Sequence, residues 1–237
     1  MPNRPRKPLF PEPQLIADTA ALEAFCAPLH AEPFITVDTE FMRERTYYPE
    51  LCVVQVAGEH AVAVIDAEAG GLDLSPLWRL LLDPAVTKVF HAARQDIEIV
   101  FLKTGQVPTP LFDTQVAAMV AGFGDQVAYD ALVAALAGGH IDKAFRFTDW
   151  SARPLSPQQI AYAAADVTWL RRVYEKLRVR LERDDRLDWV AEEMALLADP
   201  ATYQADPENA WVRLKPRSGN RRYLAALRAI AAWRERE

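Results

Sequence analysis

The chain has 237 residues, with 27 Lys or Arg against 33 Asp or Glu, for a formal net charge of −6. A hydrophobic fraction of 51% and a charged fraction of 25% exclude a disordered chain, and the acidity excludes a protein that grips nucleic acid by bulk positive charge. Nine Gly and 17 Pro exclude collagen-like and glycine-linker compositions, leaving one α/β domain with a sizeable core as the expectation at this length.

In chain order, a basic, Pro-rich arm runs over residues 1–18, without the apolar core of a secretory signal. The apolar spacing of Ala20, Leu22, Phe25 and Leu29 predicts a helix over Thr19–Leu29. The period then changes to that of strands. Phe34–Glu40, Leu51–Ala57 and Ala61–Ile65 are β-branched runs, the last two separated by a Gly58-Glu59 turn. Ser75-Pro76 opens a helix to Leu82, Thr87–His91 reads as a strand, and Ala93–Lys103 as a helix. A short strand at Leu111–Asp113 leads into a helix over Thr114–Val120, and helices dominate afterwards, at Asp130–Ala137, Pro157 to about Glu182, and Leu187–Leu197. Strands in hairpin order followed by crossovers predict a mixed sheet flanked by helices, an order compatible with a ribonuclease-H-like architecture and with other three-layer folds.

Cys26 and Cys52 lie in apolar surroundings outside any CxxC pair, which indicates buried thiols. No window approaches the ~20 apolar residues of a membrane span. A monomeric cytoplasmic protein without membrane contact is expected. Charge is unevenly spread, because Arg213–Arg236 carries eight basic residues and one acid, a local charge of +7. That stretch is either a solvated basic face or a nucleic-acid contact.

Three groups of residues carry chemistry. Asp38 and Glu40 stand two apart in a strand, so alternation places both on one face. Two anions a few ångströms apart repel by ~4 kcal/mol at an effective dielectric of 20, so the pair is either solvated at a strand end or holds a cation. Asp96 opens a helix directly after a strand, at the carboxyl edge where α/β proteins keep their sites; the helix dipole alone also explains an acid there. Tyr162 and Asp166 are four apart on one helix face within YAAADVTWL, either a core pair or part of a site. No G-x-x-x-x-G-K-[ST] loop is present to support nucleotide triphosphate chemistry.

VDTEFMRERTYYPELCVVQ, FHAARQDIEIV and DKAFRFTDWSARPLSPQQIAYAAADVTWL closely resemble the three exonuclease motifs of the ribonuclease D family, within the DEDD superfamily of 3′-5′ exonucleases. The resemblance runs from about Phe34 to Leu170. It implies a ribonuclease-H-like fold on which Asp38, Glu40, Asp96 and Asp166 hold two divalent cations, Mg²⁺ or Mn²⁺. Tyr162, with Ala161 where a His would stand, matches the Tyr branch of the superfamily. The implied activity is hydrolysis of RNA from a free 3′ end to nucleoside 5′-monophosphates, in the maturation of tRNA precursors and other small structured RNAs. Oxygen-only ligands suit hard divalent cations that assist an in-line phosphoryl displacement.

The same resemblance implies substrate contacts at Phe41, placed to stack on a base, and at Lys143, near the substrate phosphate; Thr39 and, from the charged and aromatic loop that follows, Arg43 are further candidate substrate contacts. Arg45, Tyr47 and Tyr48 interleave charge and aromatic surface in the loop beyond, and Asp149, Trp150 and Arg153 match the family either as a structural bracket or as site residues. His91 and Gln55 read as local hydrogen-bonding residues. The implied domain division is an exonuclease domain over residues 19–205, then a linker and the first helix of a truncated helicase-and-RNase-D C-terminal domain over 206–237. A DNA-directed exonuclease, a catalytically inactive RNA-binding module and an interaction protein with coincidental carboxylates are the competing readings.

Overall fold

The computed structural model describes residues 9–204 and 206–236, so the first eight residues of the basic arm lie outside the described residues. It divides into two compact units, residues 1–198 and 199–237. The first contains β1 (Pro13–Ile16), α1 (Thr19–Leu29), β2 (Phe34–Met42), β3 (Glu50–Ala57), β4 (Val62–Asp66), α2 (Ser75–Leu81), β5 (Thr87–Phe90), α3 (Arg94–Thr104), β6 (Leu111–Asp113), α4 (Thr114–Val120), α5 (Tyr129–Ala137), α6 (Pro157–Arg183) and α7 (Leu187–Ala198). These elements follow the predicted order closely.

The strands form one six-stranded sheet in the order β1-β4-β3-β2-β5-β6. β2, β3 and β4 are antiparallel neighbours, and β5 and β6 extend the sheet in parallel on the other side of β2. The far edge corrects the sequence expectation. Part of the expected arm is β1, paired in parallel with β4. Only Ile16 of its four residues is buried, so no alternation marked it, and Pro13 is tolerated because it opens an edge strand.

The helix α6 positions the molecule's central layer. Ser156 and Gln159 form a reciprocal capping box and Pro157 occupies the first turn, which fixes where the helix starts. Its small residues Ala163 and Ala164 let it lie against Val53, Val62 and Val64 of the sheet. The buried Thr36 hydroxyl then donates to the Val167 carbonyl at 2.8 Å, locking α6 onto β2. On the parallel side, the fully buried Lys88 donates to the carbonyls of Asp83, Val86 and Thr109, at 2.7–2.8 Å, and so joins the segments flanking β5 and β6.

The second unit contains α8 (Arg221–Arg236) and a 3-10 turn at Ala210–Arg213. Glu235 is buried and paired with Arg213 and Arg234, each at 3.0 Å, while Arg228 lies over the Trp211 ring. The single acid of the +7 stretch is therefore an internal anchor.

Ala163→Leu inserts three carbons where helix and sheet touch. We expect a loss of ~1–3 kcal/mol in urea unfolding, since overpacking forces backbone shifts, with a drop in any activity that depends on the helix's distance from β2.

Candidate active site

Thr36, Asp38 and Glu40 alternate onto the face of β2 that meets α6, opposite Ala57, Gln55 and Val53 of β3. The register shifts between Glu40 and Phe41, a bulge that ends the simple alternation at the site. Asp166 arrives from α6. Its backbone carbonyl accepts a hydrogen bond from the Tyr129 hydroxyl, one residue before the Val167 carbonyl held by Thr36. The carboxylates of Asp38, Glu40 and Asp166 consequently offer oxygens that all lie within 4.8 Å of one another.

Asp96 is the fourth acid of the predicted set and stands outside that tight group, on the wall of the same cavity. It is buried in the first turn of α3 and its Oδ1 accepts from the Thr39 hydroxyl at 2.5 Å. Its position depends on the turn after β5, where Ala92 adopts a left-handed backbone with φ of 58°. The Asp113 carboxylate holds that turn, accepting from the backbone N–H groups of Ala92 and Ala93 while also capping α4 through Gln115.

The cavity has a volume of about 490 Å³, and its walls include Phe41, Tyr129, Lys143, Arg146, Phe147 and Tyr162. Burial, then the neighbouring Asp166 charge, pushes the Asp38 carboxyl well above its ordinary range. Burial together with the charges of Asp38, Asp166 and Asp96 pushes Glu40 up to about 10. Asp96 is raised by burial and by Asp38. Burial raises Asp166 to about 7, against a hydrogen bond from Tyr162 and the positive field of Arg146. The Tyr162 hydroxyl is itself raised, by burial and by Asp166, Glu40 and Asp38, so it remains a neutral phenol.

The other predicted contacts are distributed around this centre. Lys143 reaches the cavity from a 3-10 turn and pairs with Asp130 at 2.7 Å. Arg43 pairs with Glu98 at 2.9 Å and lines an adjoining groove of about 480 Å³ instead of the carboxylate cavity. Phe41, Arg146 and Phe147 line both spaces, and Arg45 lines the groove. Tyr47 and Tyr48 pack edge to face with each other. Arg153 makes a forked contact with Asp66 and also donates to the Cys52 and Trp150 carbonyls, which makes it a bracket between the loop before α6 and the sheet. Asp149 accepts from Ser151 within a turn of that loop, and His91 meets the Thr114 hydroxyl at 3.0 Å.

Arg146, Phe147 and Tyr129 were not singled out in the sequence. Arg146 and Phe147 stand three and four residues after Lys143 in DKAFRF, so a basic residue followed by an aromatic was the available signal. Phe147 is 89% exposed, unusual for so large an apolar ring. Tyr129 carries no spacing signal, since only the fold brings it beneath Asp166.

Residues 13–182 match a family model described as 3′-5′ exonuclease. The chain belongs to that family. Among its relatives, ribonuclease D of Acidiphilium cryptum is 74% identical, over 97% of this chain and 59% of its own length. The solved Escherichia coli RNase D superposes with a TM-score of 0.84 at 37% identity, covering 95% of this chain and 60% of that one. Brucella melitensis NrnC with bound Mg²⁺ superposes with a TM-score of 0.68 at 27% identity, over 88% and 97% of the two chains. The chain thus spans about three fifths of the length of the ribonuclease D relative it matches. Its mixed sheet and flanking helices are the ribonuclease-H-like α/β fold that the motifs implied. Among the described residues, no helix is long and apolar enough to cross a membrane.

Three ionised carboxylates within 4.8 Å would oppose one another by about 3–4 kcal/mol per pair at an effective dielectric of 20, and the raised Asp38 and Glu40 carboxyls avoid that repulsion by holding protons until a cation replaces them. Asp166→Asn removes one of the three anionic ligands. The variant is expected to lose the upward shift in melting temperature that Mn²⁺ gives the parent in differential scanning calorimetry.

Proposed function

We propose that this chain is a metal-dependent 3′-5′ exoribonuclease that removes nucleoside 5′-monophosphates from a free RNA 3′ end. The observation that carries the reading is the trio Asp38, Glu40 and Asp166, whose oxygens lie within 4.8 Å of one another in an open cavity. Three partly or fully buried acids at this separation call for a multivalent cation, and a donor set made only of oxygen suits Mg²⁺ or Mn²⁺ over softer metals. The residues present fit the expected pair of ions, with Asp38, Glu40, Asp96 and Asp166 as the holders. When bound, such ions supply charge stabilisation for the attacking and leaving oxygens of an in-line phosphoryl displacement.

The chain's own side chains do the rest. Tyr162 stays protonated and is therefore an orienting group for the attacking water instead of a free base. Thr39 acts through Asp96, holding its carboxylate by the hydroxyl contact. Arg146 lies close enough to Glu40 and Asp166 to offset their charge, and faces both the cavity and the adjoining groove, where it fits a backbone phosphate. Phe41 and Phe147 present rings at the same junction, suited to stacking on bases of a single strand. The groove past Arg43 and Arg45 is the proposed path of the upstream nucleotides. Lys143 joins them at the cavity wall as a second cation for the substrate phosphate.

The relatives support RNA as substrate, and the E. coli RNase D is described as an exoribonuclease involved in structured RNA processing. We extend that description to this chain, with tRNA precursors as the proposed substrate and the cytoplasm as its compartment, where the free buried thiols Cys26 and Cys52 stay reduced.

With a 3′-hydroxyl RNA oligonucleotide and Mg²⁺ or Mn²⁺, chromatography should resolve 5′-monophosphates appearing one at a time, and a chelator should stop the reaction. Faster release from the matched DNA oligonucleotide would favour the DNA-directed reading, and RNA binding without release would favour the inactive module. Tyr162→Phe should lower kcat by roughly 10²-fold with Mn²⁺ affinity retained. Arg146→Ala should chiefly raise KM, because it removes a contact that the substrate makes before and during the reaction.

A further inference from the structure

Gln55 lies in the middle of β3 and is fully buried, yet neither its Oε1 nor its Nε2 has a hydrogen-bond partner. The register places it opposite Asp38 on β2 and opposite Val64 on β4. Alternation puts its side chain on the face shared by Val53 and Ala57, within the apolar layer that α6 covers with Ala163 and Val167. An amide left unpaired in such a layer destabilises the fold, and an aliphatic side chain of the same size would fill the space without that cost. A polar group kept there needs a partner in some state of the molecule.

The surroundings narrow the choice. Directly opposed strand residues have Cβ atoms about 4.5–5.5 Å apart, which brings the Asp38 carboxylate within reach of the amide. Thr36, the next polar residue along this face, already uses its hydroxyl on the Val167 and Ala57 carbonyls. Asp38 accepts from the Thr39 backbone and has acceptor capacity to spare, because an ionised carboxylate offers about four lone-pair positions. Val64, on the other side, offers none.

We propose that Gln55 is a positioning residue for Asp38, its Nε2 donating to the carboxylate oxygen turned away from the cations so that the other oxygen is held toward them. This rests on the metal-site reading above. Hydrogen bonds behind a ligating carboxylate fix its orientation, and losing one weakens metal affinity about 10–100-fold.

The test is Mn²⁺ binding to the full chain by isothermal titration calorimetry, with the melting temperature read in chelator. Gln55→Met keeps the length and removes both polar atoms. It should bind Mn²⁺ at least ~tenfold more weakly than the parent while melting at the same temperature or ~2–4 °C higher, a combination that a merely structural glutamine does not give. Mn²⁺ affinity within twofold of the parent overturns the proposal, whatever the melting temperature does. Gln55→Leu gives a second reading if the Met variant does not fold; if neither folds, the amide is a requirement of the core and the proposal fails. A parent that binds no Mn²⁺ marks failure of the metal-site reading itself, whereas a parent that binds beside an unaffected variant marks failure of the Gln55 assignment alone.

Discussion

Asp38, Glu40 and Asp166 are held with their oxygens inside 4.8 Å, and that enforced proximity is the constraint on which the molecule is organised. Each is raised from its ordinary carboxyl range mainly by burial, and Asp38 and Glu40 further by one another's charge or by Asp166. Keeping them that close requires α6 to be fixed against β2. Thr36 grips the Val167 carbonyl and Tyr129 the neighbouring Asp166 carbonyl, two adjacent backbone positions tied down from two directions. The alanines at 163 and 164 are the steric counterpart, since larger side chains there would hold the helix off the sheet.

A second constraint concerns Asp96, which comes from the parallel half of the sheet. Its helix begins only after a turn that includes a left-handed alanine, a conformation that costs an L-residue ~1–3 kcal/mol. Asp113 offsets that strain with two hydrogen bonds from the turn's backbone, and through Gln115 it carries the same carboxylate into the start of α4. One buried acid far along the chain therefore sets where another acid can stand.

The elements that repeat a period over many residues were legible in the sequence: the strands from Phe34 to Asp66, the long α6, and the junctions that place Asp96 and Asp166. Asp38 and Glu40 were legible as a same-face pair because the bulge begins only after Glu40. β1 was not, because three of its four side chains are exposed and its order comes from β4. The cavity walls were legible in part. Lys143 stood out by family resemblance, while Arg146 acquires its place only when the 3-10 turn at Lys143–Phe145 points the next residue toward Glu40 and Asp166. Gln55 read as an ordinary local hydrogen-bonding residue, and only the packed core shows that it has no partner.

The acidity of the whole chain takes on a different meaning once its charges are located. The cations nearest the site are largely committed, Arg43 to Glu98 and Lys143 to Asp130, whereas Arg146, among the described residues, has no such ion pair and lies over the Phe147 ring. Against Arg146 stand four acids on the same cavity wall, Asp38, Glu40, Asp96 and Asp166. On the proposed reading, two divalent cations would balance these four acids and leave Arg146 in excess, so that substrate attraction and site stability answer to the same occupancy. Salt weakens contacts between exposed charges far more than those inside a buried cluster, so on the proposed reading the screened part of RNA binding would lie in the groove past Arg43 and Arg45. On that reading a net charge of −6 does not exclude a polyanionic partner, because the acids that matter are concentrated where cations replace them.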